Sequence, residues 1–355
     1  MKVISVKIGK RIVGPGQPVF IIAEAGVNHN GSLALAKKLV DVAVAAKADA
    51  VKFQTFTPEL VVNKTAGQAK YQKKNTGLVE SQLDMIRRFE LSRADHRELV
   101  AYCRKKGIIF LSTPFSEFDA DFLSELKVPA FKTPSGEITN LPYLEHIAKK
   151  NKPMIVSTGM ADMNETKQGL KTIMSTGNKN IVVLHCTSSY PPRAKDLNLN
   201  VITTFVKEFS AQGIPVGYSD NGSEGYVAEV IACSLGACVI EKHFTVDKTL
   251  PGPDQKASLS PQELQDMVKA IRETEIMLGS FEKKCTPEEV EIKRVARRSV
   301  VAKRDIPSGV RITRDDLIMK RPGTGISPAE LRKVVGKKAR RPIAADELIT
   351  FVNLT

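Results

Sequence analysis

The sequence contains no tryptophan, and its other aromatic side chains are 14 phenylalanines and six tyrosines. Proteins that bind single-stranded nucleic acid stack bases on aromatic side chains, and duplex-binding proteins concentrate Lys and Arg on one face. Here the 53 Lys and Arg residues, which leave a net charge of +14, are spread along the whole chain. We therefore expect no nucleic-acid partner, and a basic nucleic-acid-binding protein is the alternative from a different functional class.

Cysteine and long apolar segments are also scarce. The five cysteines are odd in number and no two have the CxxC spacing of a zinc or redox site, so we expect reduced thiols. No apolar run approaches the roughly 20 residues that cross a bilayer. The first ten residues also lack the apolar segment of a signal peptide. The sequence predicts a cytoplasmic protein without membrane contact.

Short runs rich in Val and Ile recur along most of the chain, separated by longer stretches with helical periodicity. This alternation is typical of βαβ units and a parallel sheet. The eight predicted strands are Val19–Glu24, Ala50–Thr55, Ile108–Thr113, Ala130–Pro134, Met154–Thr158, Ile181–Thr187, Pro215–Ser219 and Val239–Phe244. Eight β/α units of this total length predict an α/β fold of the (β/α)8 TIM-barrel type, which takes about 250 residues. A doubly wound open sheet is the alternative.

Amphipathic segments between these strands predict helices. Two of the helix starts carry capping residues, Ser92 with Asp95 and Ser260 with Glu263, and the second start also has Pro261 in its first turn. The predicted helices are Leu33–Lys47, Ala94–Lys106, Leu141–Asn151, Met163–Ser175, Val201–Gln212, Gly225–Leu235 and Pro261–Leu278.

Two regions depart from the regular β/α pattern. The interval Phe56–Gly107 is longer than one helix requires, which predicts an insertion over the barrel mouth. After Leu278 the composition changes, so we predict a barrel domain at 1–282, a linker at 283–294 and a small domain at 295–355. Short strands of the small domain are predicted at Arg298–Val301, Asp305–Gly309, Leu317–Lys320 and Ala344–Phe351.

Polar side chains lie at almost every predicted strand end. The carboxyl ends of barrel strands converge, and catalytic residues come from several of them. Because side chains alternate along a strand, some of these residues share a face in pairs. The pairs are Lys52 with Gln54, Ser219 with Asn221, and Glu241 with His243. A salt bridge explains any single inward charge as well as catalysis does, but polar residues at so many strand ends indicate an active site.

Two lysines among hydroxyl groups form a candidate anion site at these strand ends. Lys52 and Lys132 are compact cations suited to carboxylate or phosphate, and hydroxyls donate to the same oxygens. The hydroxyl residues are Thr113, Ser135, Ser157 and Ser219. His243, two residues after Glu241, is a candidate metal ligand or proton carrier.

A series of motifs in the order of the chain resembles the bacterial sialic acid synthase family. The motifs are IAEAGVNHNG (Ile22–Gly31), VKFQ (Val51–Gln54), STPFS (Ser112–Ser116), FKTPSGE (Phe131–Glu137), STGM (Ser157–Met160), LHCTSSYP (Leu184–Pro191), GYSDN (Gly217–Asn221), EKHF (Glu241–Phe244) and GPDQKASL (Gly252–Leu259). Members of the family make N-acetylneuraminate, legionaminate or pseudaminate. The tail from Ser299 to Thr355, with KRPGTG at Lys320–Gly325, resembles the antifreeze-like (SAF) domain of that family.

The resemblance implies a TIM-barrel enzyme that condenses phosphoenolpyruvate with an N-acylated mannosamine-type sugar and releases phosphate. C3 of phosphoenolpyruvate would attack the open-chain aldehyde, water would add at C2, and the resulting tetrahedral species would expel phosphate. The resemblance also implies a divalent metal, with Mn²⁺ expected and Mg²⁺ or Co²⁺ as alternatives. It further implies a domain-swapped homodimer, in which Arg321 of one subunit lies over the barrel of the other.

Residue by residue, the same matching implies roles for individual side chains. Glu24, Lys52 and Lys132 would be catalytic, with Glu24 as the acid/base group. The phosphoenolpyruvate contacts would be Lys52, Thr113, Lys132, Ser135, Ser157 and Ser219. The sugar contacts would be Gln54, Asn75, Glu137, Tyr190, His243, Asp254 and Arg321. The metal ligands would be His243 and Asn221.

Two positions depart from the pattern of the family. The family has Ser-Asp-His where this chain has Ser219, Asp220 and Asn221, so an amide replaces one of two histidine ligands. An amide oxygen is a weaker, harder ligand that still suits Mn²⁺ or Mg²⁺. Ser188 stands where some members have Asn, close to Tyr190, so the motifs predict the reaction more firmly than the sugar.

A Schiff-base aldolase is the alternative within enzyme chemistry. Lys132 or Lys52 would then attack a carbonyl carbon after losing its proton in a desolvated site. Neighbouring hydroxyls and anions favour charged lysines, which argues against this alternative.

Overall fold

The protein, seen in a computed structural model, is described at residues 5–63, 65–68 and 80–355. The chain divides into two compact units, the first ending at Gly279 and the second beginning at Ser280. The predicted linker at 283–294 overlaps a helix of the second unit, Pro287–Ala296. Within the described ranges, no helix combines the length and the apolar character that crossing a bilayer requires.

The first unit begins with an antiparallel hairpin and continues into eight parallel strands. The hairpin strands are β1 (Val6–Ile8) and β2 (Arg11–Val13). The parallel strands are β3 (Phe20–Gly26), β4 (Ala50–Thr55), β5 (Ile109–Pro114), β6 (Phe131–Thr133), β7 (Met154–Ser157), β8 (Ile181–Cys186), β9 (Val216–Asp220) and β10 (Val239–His243). Their order is β5-β4-β3-β10-β9-β8-β7-β6, and β6 also lies beside β5. The sheet therefore closes on itself, which confirms the predicted TIM barrel and excludes the open sheet.

Helices follow the strands along the chain. They are α1 (Leu33–Ala45), α2 (Pro58–Val61), α3 (Gln82–Arg87), α4 (Arg93–Lys106), α5 (Glu117–Glu125), α6 (Leu141–Ala148), α7 (Met163–Ser175), α8 (Asn200–Phe209), α9 (Val227–Ser234), α10 (Pro261–Leu278) and α11 (Pro287–Ala296). The predicted ends of α1 and α6 were too late, because Lys47 and Asn151 have left-handed backbone conformations with φ of 60° and 53°. The capping boxes at Ser92 and Ser260 form as predicted.

The lower half of the barrel interior is apolar and closed by the hairpin. Ile8 packs there against inward residues of the strands, such as Ile22 on β3 and Leu111 on β5. All three side chains are fully buried. This hairpin was not predicted, because strands of three residues are too short to show an alternation of apolar and polar side chains. Its effect is to keep water out of the amino-terminal end of the barrel.

The second unit has its own small core. Strands β11 (Ser299–Ala302) and β12 (Leu317–Lys320) pair in antiparallel orientation, close to two of the predicted strands. The other two predictions, Asp305–Gly309 and Ala344–Phe351, were wrong as continuous strands. The structure has only isolated bridges there, such as Ile306 with Ile343. Buried aliphatic side chains including Val300 and Ile349 fill the unit.

The hairpin offers a direct stability test. Ile8 is 0% exposed and Ile12, on the same hairpin, is 42% exposed. Ile8→Ala should lower the free energy of unfolding by about 2–5 kcal/mol, because it leaves a cavity in a packed core. Ile12→Ala is the matched control and should change it by no more than about 0.5 kcal/mol. Urea unfolding followed by circular dichroism measures both, and equal effects of the two substitutions would contradict the packing.

Candidate active site

The inward positions of the barrel strands change from apolar to polar toward the carboxyl ends. On β4 the inward series runs from Ala50 to Lys52, and on β10 it runs from Val239 to Glu241 and His243. In the strand register, Glu24 of β3 pairs with Lys52 on one side and with His243 on the other. These groups therefore lie side by side above an apolar floor, at the barrel end where catalytic residues are expected.

Two buried lysines share a carboxylate in the middle of this layer. Oε1 of Glu241 lies 3.7 Å from Nζ of Lys52 and 3.6 Å from Nζ of Lys132. It also accepts a 3.0 Å hydrogen bond from the Ser219 hydroxyl. Lys52 forms a closer pair with Glu24, at 2.7 Å between Nζ and Oε2. Glu241 was not among the predicted site residues, although its position two residues before His243, on the same face of the strand, indicated that it points inward.

The predicted hydroxyl residues hold the two ammonium groups. Lys52 donates to Oγ1 of Thr113 at 2.9 Å, and Lys132 donates to Oγ of Ser157 at 2.7 Å. Ser135 does not hold an ammonium group; its Oγ accepts a 3.0 Å hydrogen bond from the backbone N–H of Gly159. The structure thus brings all four predicted hydroxyl groups to one layer. Three of them form hydrogen bonds with the lysines or with Glu241, and Ser135 lies at the edge of this cluster.

Burial sets the ionisation of this cluster. Burial raises the pKa of Glu24 to about 7 even though Lys52 opposes the shift, so both forms of the carboxyl group exist near neutral pH. Burial also lowers the pKa of Lys132, and nearby Glu241 counteracts only part of this. Burial alone would lower the pKa of Lys52, but the negative charges of Glu24 and Glu241 outweigh this effect, and the pKa of Lys52 is raised. The pKa of Glu241 is lowered, because the two lysines outweigh the effect of burial.

The net charge of this cluster depends on the protonation of Glu24. With both lysines charged and Glu241 ionised, protonation of Glu24 leaves one uncompensated positive charge, and its ionisation leaves none. A buried uncompensated charge is costly. The cluster is therefore arranged to accept an anion, and it does so better when Glu24 is protonated.

A cavity of about 220 Å³ opens beside this cluster at the barrel mouth. Four of the predicted sugar contacts line it, namely Gln54, Tyr190, His243 and Asp254. Burial raises the pKa of Asp254 to about 6. The opposite wall is apolar, and most of its residues belong to the long interval between β4 and β5, where an insertion over the barrel mouth was predicted. It consists of Val27, Phe56, Val61, Val62, Met85, Ile86, Phe89 and Phe115.

The other three predicted sugar contacts are Glu137, Asn75 and Arg321. Glu137 sits on the turn after β6, where its Oε2 accepts a 2.6 Å hydrogen bond from Asn140, and it does not line the cavity. Asn75 lies outside the described residues. Arg321 belongs to the second unit and is exposed. The predicted sugar contacts of Asn75 and Arg321, and the predicted dimer, stay predictions.

The predicted metal ligands are neighbours in the strand register. Asp220 pairs with Lys242, so the residues that follow them, Asn221 and His243, lie side by side. Burial lowers the pKa of His243 to about 4, which keeps its ring neutral, and its Nδ1 has no hydrogen-bond partner among the described residues. A neutral imidazole nitrogen and an amide oxygen fit a hard divalent cation. The described part of the chain holds no cluster of three His, Cys, Asp or Glu suited to a metal. Water or substrate would have to complete the coordination.

A second cluster of charged side chains lies on the outer face of the barrel sheet. Lys242 points outward from β10, is 0% exposed, and lies 3.4 Å from Oδ1 of Asp220 and 3.0 Å from Oε1 of Glu229. Asp220 also accepts the backbone N–H groups of Gly222 and Ser223 at 2.7 and 2.6 Å. This cluster fixes the loop that follows Asn221.

Comparison with known proteins identifies the family. The model of the NeuB family matches residues 39–283, and that of the SAF domain matches residues 297–355. The chain belongs to the NeuB family. An N,N'-diacetyllegionaminic acid synthase of Legionella pneumophila is 47% identical over 345 residues, which cover 96% of each chain. One of Campylobacter jejuni is 46% identical over 93% of this chain and 98% of its own.

A solved structure agrees with the assignment to the NeuB family. The N-acetylneuraminic acid synthetase of Leptospira borgpetersenii, crystallised with citrate, superposes with a TM-score of 0.72 at 32% identity. The match covers 82% of this chain and 95% of that one. The resemblance inferred from the motifs is confirmed, and so is the predicted class of enzyme, a synthase of carbohydrate biosynthesis.

A glycine at the centre of the NeuB site provides a test of the geometry. A Cβ on Gly26 would lie 3.3 Å from Oε1 of Glu24 and 3.4 Å from Cε1 of His243, at a φ of +53°. Gly16 has a φ of +77° and no atom within 4 Å of such a Cβ. Both alanine substitutions should lower stability by about 1 kcal/mol through backbone strain.

Only Gly26→Ala should also reduce kcat, by about tenfold or more, because it displaces Glu24 and His243 by fractions of an ångström. Steady-state kinetics with a thermal melt separates the two effects. A kcat for Gly26→Ala equal to that of Gly16→Ala would contradict the geometry.

Proposed function

We propose that this protein is a nonulosonic acid synthase of the cytoplasm, which condenses phosphoenolpyruvate with an N-acylated amino sugar and releases inorganic phosphate. The observation that carries the proposal is that two buried lysines share the single carboxylate of Glu241 beside a cavity suited to a sugar. These three groups together carry a surplus positive charge. Membership of the NeuB family supports the same reaction.

Phosphoenolpyruvate supplies the missing negative charge. Lys52 and Lys132 bind its carboxylate and phosphate, and Thr113, Ser157 and Ser219, which already contact the charged groups, reorient toward its oxygens. This places C3 of the enol at the edge of the sugar cavity. Holding both reactants in one geometry is the main contribution of such a site to the rate.

Glu24 moves protons in the reaction. Its carboxyl group lies between Lys52 and His243 in the strand register, and so between the anion site and the cavity. A pKa of about 7 is matched to proton transfer at neutral pH. Glu24 therefore protonates the aldehyde oxygen as C3 attacks, or takes a proton from the water that adds at C2.

A divalent cation, which we propose to be Mn²⁺, belongs in the same site. His243 and Asn221 would hold it through their free nitrogen and oxygen. When bound, it supplies Lewis-acid polarisation of the aldehyde. The domain-swapped homodimer, with Arg321 of one subunit over the barrel of the other, is part of the same proposal and is supported by the SAF domain match.

The acceptor we propose is a 2,4-diacetamido-2,4,6-trideoxy hexose. The cavity wall formed by the β4–β5 interval is apolar, and such a sugar presents a second acetyl methyl group and a methyl group in place of the 6-hydroxyl. N-acetylmannosamine would place hydroxyl groups against the same wall without hydrogen-bond partners. The two relatives named N,N'-diacetyllegionaminic acid synthases support this choice.

One observation favours the Schiff-base alternative. Burial lowers the pKa of Lys132, as it does for lysines that attack carbonyls. Borohydride reduction in the presence of substrate distinguishes the two mechanisms, because a Schiff base leaves a stable adduct on Lys132 detectable by mass spectrometry. We expect no adduct.

Phosphate release tests the proposed reaction. Release from phosphoenolpyruvate should require an N-acylated sugar, and kcat/KM should be about tenfold higher for the diacetamido-trideoxy hexose than for N-acetylmannosamine. Val62→Ser, in the cavity wall, should reduce this preference. Val42→Ser, on α1 and equally half-buried, should not. Phosphate release at the same rate without any sugar would refute the condensation.

The ionisation of Glu24 predicts a pH dependence of phosphoenolpyruvate binding. As pH rises through about 7, Glu24 loses its proton, the cluster loses its surplus positive charge, and the Kd for phosphoenolpyruvate should rise. Glu24→Gln should remove this rise and keep tight binding at pH 8, while turnover falls by about 10²–10⁴-fold. Calorimetric titration without sugar measures the Kd, and phosphate release measures turnover.

Asp254→Asn is the control for this experiment. It alters a carboxyl group in the sugar cavity, so it should leave the pH dependence of phosphoenolpyruvate binding unchanged. If Glu24→Gln keeps the wild-type pH dependence, Glu24 is not the titrating group.

A further inference from the structure

The barrel mouth contains a thiol that the proposed reaction does not use. Cys186 is the last residue of β8, is 7% exposed, and points inward toward the layer of the two lysines. Its Sγ accepts a 3.3 Å hydrogen bond from Nδ2 of Asn221. Nδ2 of the same amide also donates to the backbone carbonyl oxygen of Thr187 at 2.9 Å.

These two contacts fix which way the amide of Asn221 faces. A backbone carbonyl oxygen can only accept, so the amide atom nearest to Thr187 must be the NH2 group. The second proton of that group goes to the sulfur of Cys186. With both protons in place, Oδ1 of Asn221 lies on the opposite side of the amide, and no described residue donates to it.

A side-chain nitrogen without a hydrogen-bond partner among the described residues lies at the end of the neighbouring strand. Asn221 and His243 follow the paired residues Asp220 and Lys242, so the two residues are adjacent at the ends of β9 and β10. Nδ1 of His243 is buried and accepts from no described residue. At the barrel mouth, Oδ1 of Asn221 and Nδ1 of His243 therefore form no hydrogen bond with any described residue.

We propose that Cys186 is a positioning residue, whose sulfur, with the carbonyl of Thr187, holds the Asn221 amide so that Oδ1 joins His243 in binding a hard divalent cation. The inference rests on the proposed function. It explains how this chain binds a cation with an amide where the sialic acid synthase motif has an imidazole. The sulfur acts as a hydrogen-bond acceptor, and the cation meets oxygen and nitrogen, a donor set that suits Mn²⁺ or Mg²⁺.

Binding of Mn²⁺ to the metal-stripped full chain, followed by electron paramagnetic resonance without substrates, tests the proposal. Cys186→Ala should weaken Mn²⁺ binding by about 10-fold or more, as loss of a partner that orients a ligand does. Cys186→Ser keeps an acceptor and should restore most of the affinity. Cys238→Ala is the matched control, because Cys238 is also a buried free cysteine and its thiol donates to the backbone carbonyl oxygen of Gly236 rather than contacting Asn221.

A double-mutant cycle with Asn221→Ala shows whether Cys186 acts through the amide. If it does, Cys186→Ala should have no further effect on the Mn²⁺ Kd once Asn221 is alanine. Wild-type affinity in Cys186→Ala, or an equal loss in both backgrounds, would overturn the proposal. So would the absence of Mn²⁺ binding to the wild-type protein. The condensation itself is judged separately, by whether phosphate release by the wild-type enzyme requires the sugar.

Discussion

Two ammonium groups sharing one carboxylate inside the barrel are the constraint on which the site depends. Glu241 lies within 4 Å of both Lys52 and Lys132, and it cannot neutralise both. The remaining charge raises the cost of burial unless another anion arrives. Glu24 adjusts to this need, since its pKa of about 7 lets it be neutral or charged as the occupant of the site changes.

The rest of the barrel makes this electrostatic arrangement effective. Apolar residues fill the layers below the lysines, and the hairpin that carries Ile8 closes the amino-terminal end. Charges above such a floor interact more strongly than charges in water, and the hydroxyls that hold them are already oriented. The hairpin is far from the reacting groups, yet it contributes to the environment in which they work.

The barrel could be predicted from the sequence, because its strands and helices alternate regularly along the chain. The barrel strands are short, largely buried segments that, except for β6, contain Val or Ile, and all eight lie within two residues of their predicted bounds. Helix α5 was missed, because its acidic start hides the apolar face, although Ser116 caps it. The site residues on strands followed from alternation. The orientation of Asn221 could not follow, because it depends on Cys186 and Thr187, and no periodicity reports such contacts.

Strand β10 carries opposite charges on its two faces. Glu241 points inward between the two lysines, whereas Lys242 points outward between Asp220 and Glu229. A slip of one residue would place an ammonium group among two others inside, and a carboxylate between two carboxylates outside. A one-residue shift of β10 in either direction therefore brings like charges together on both faces of the sheet. The chain can close its barrel with the mouth assembled in one way, before any ligand is present to guide it.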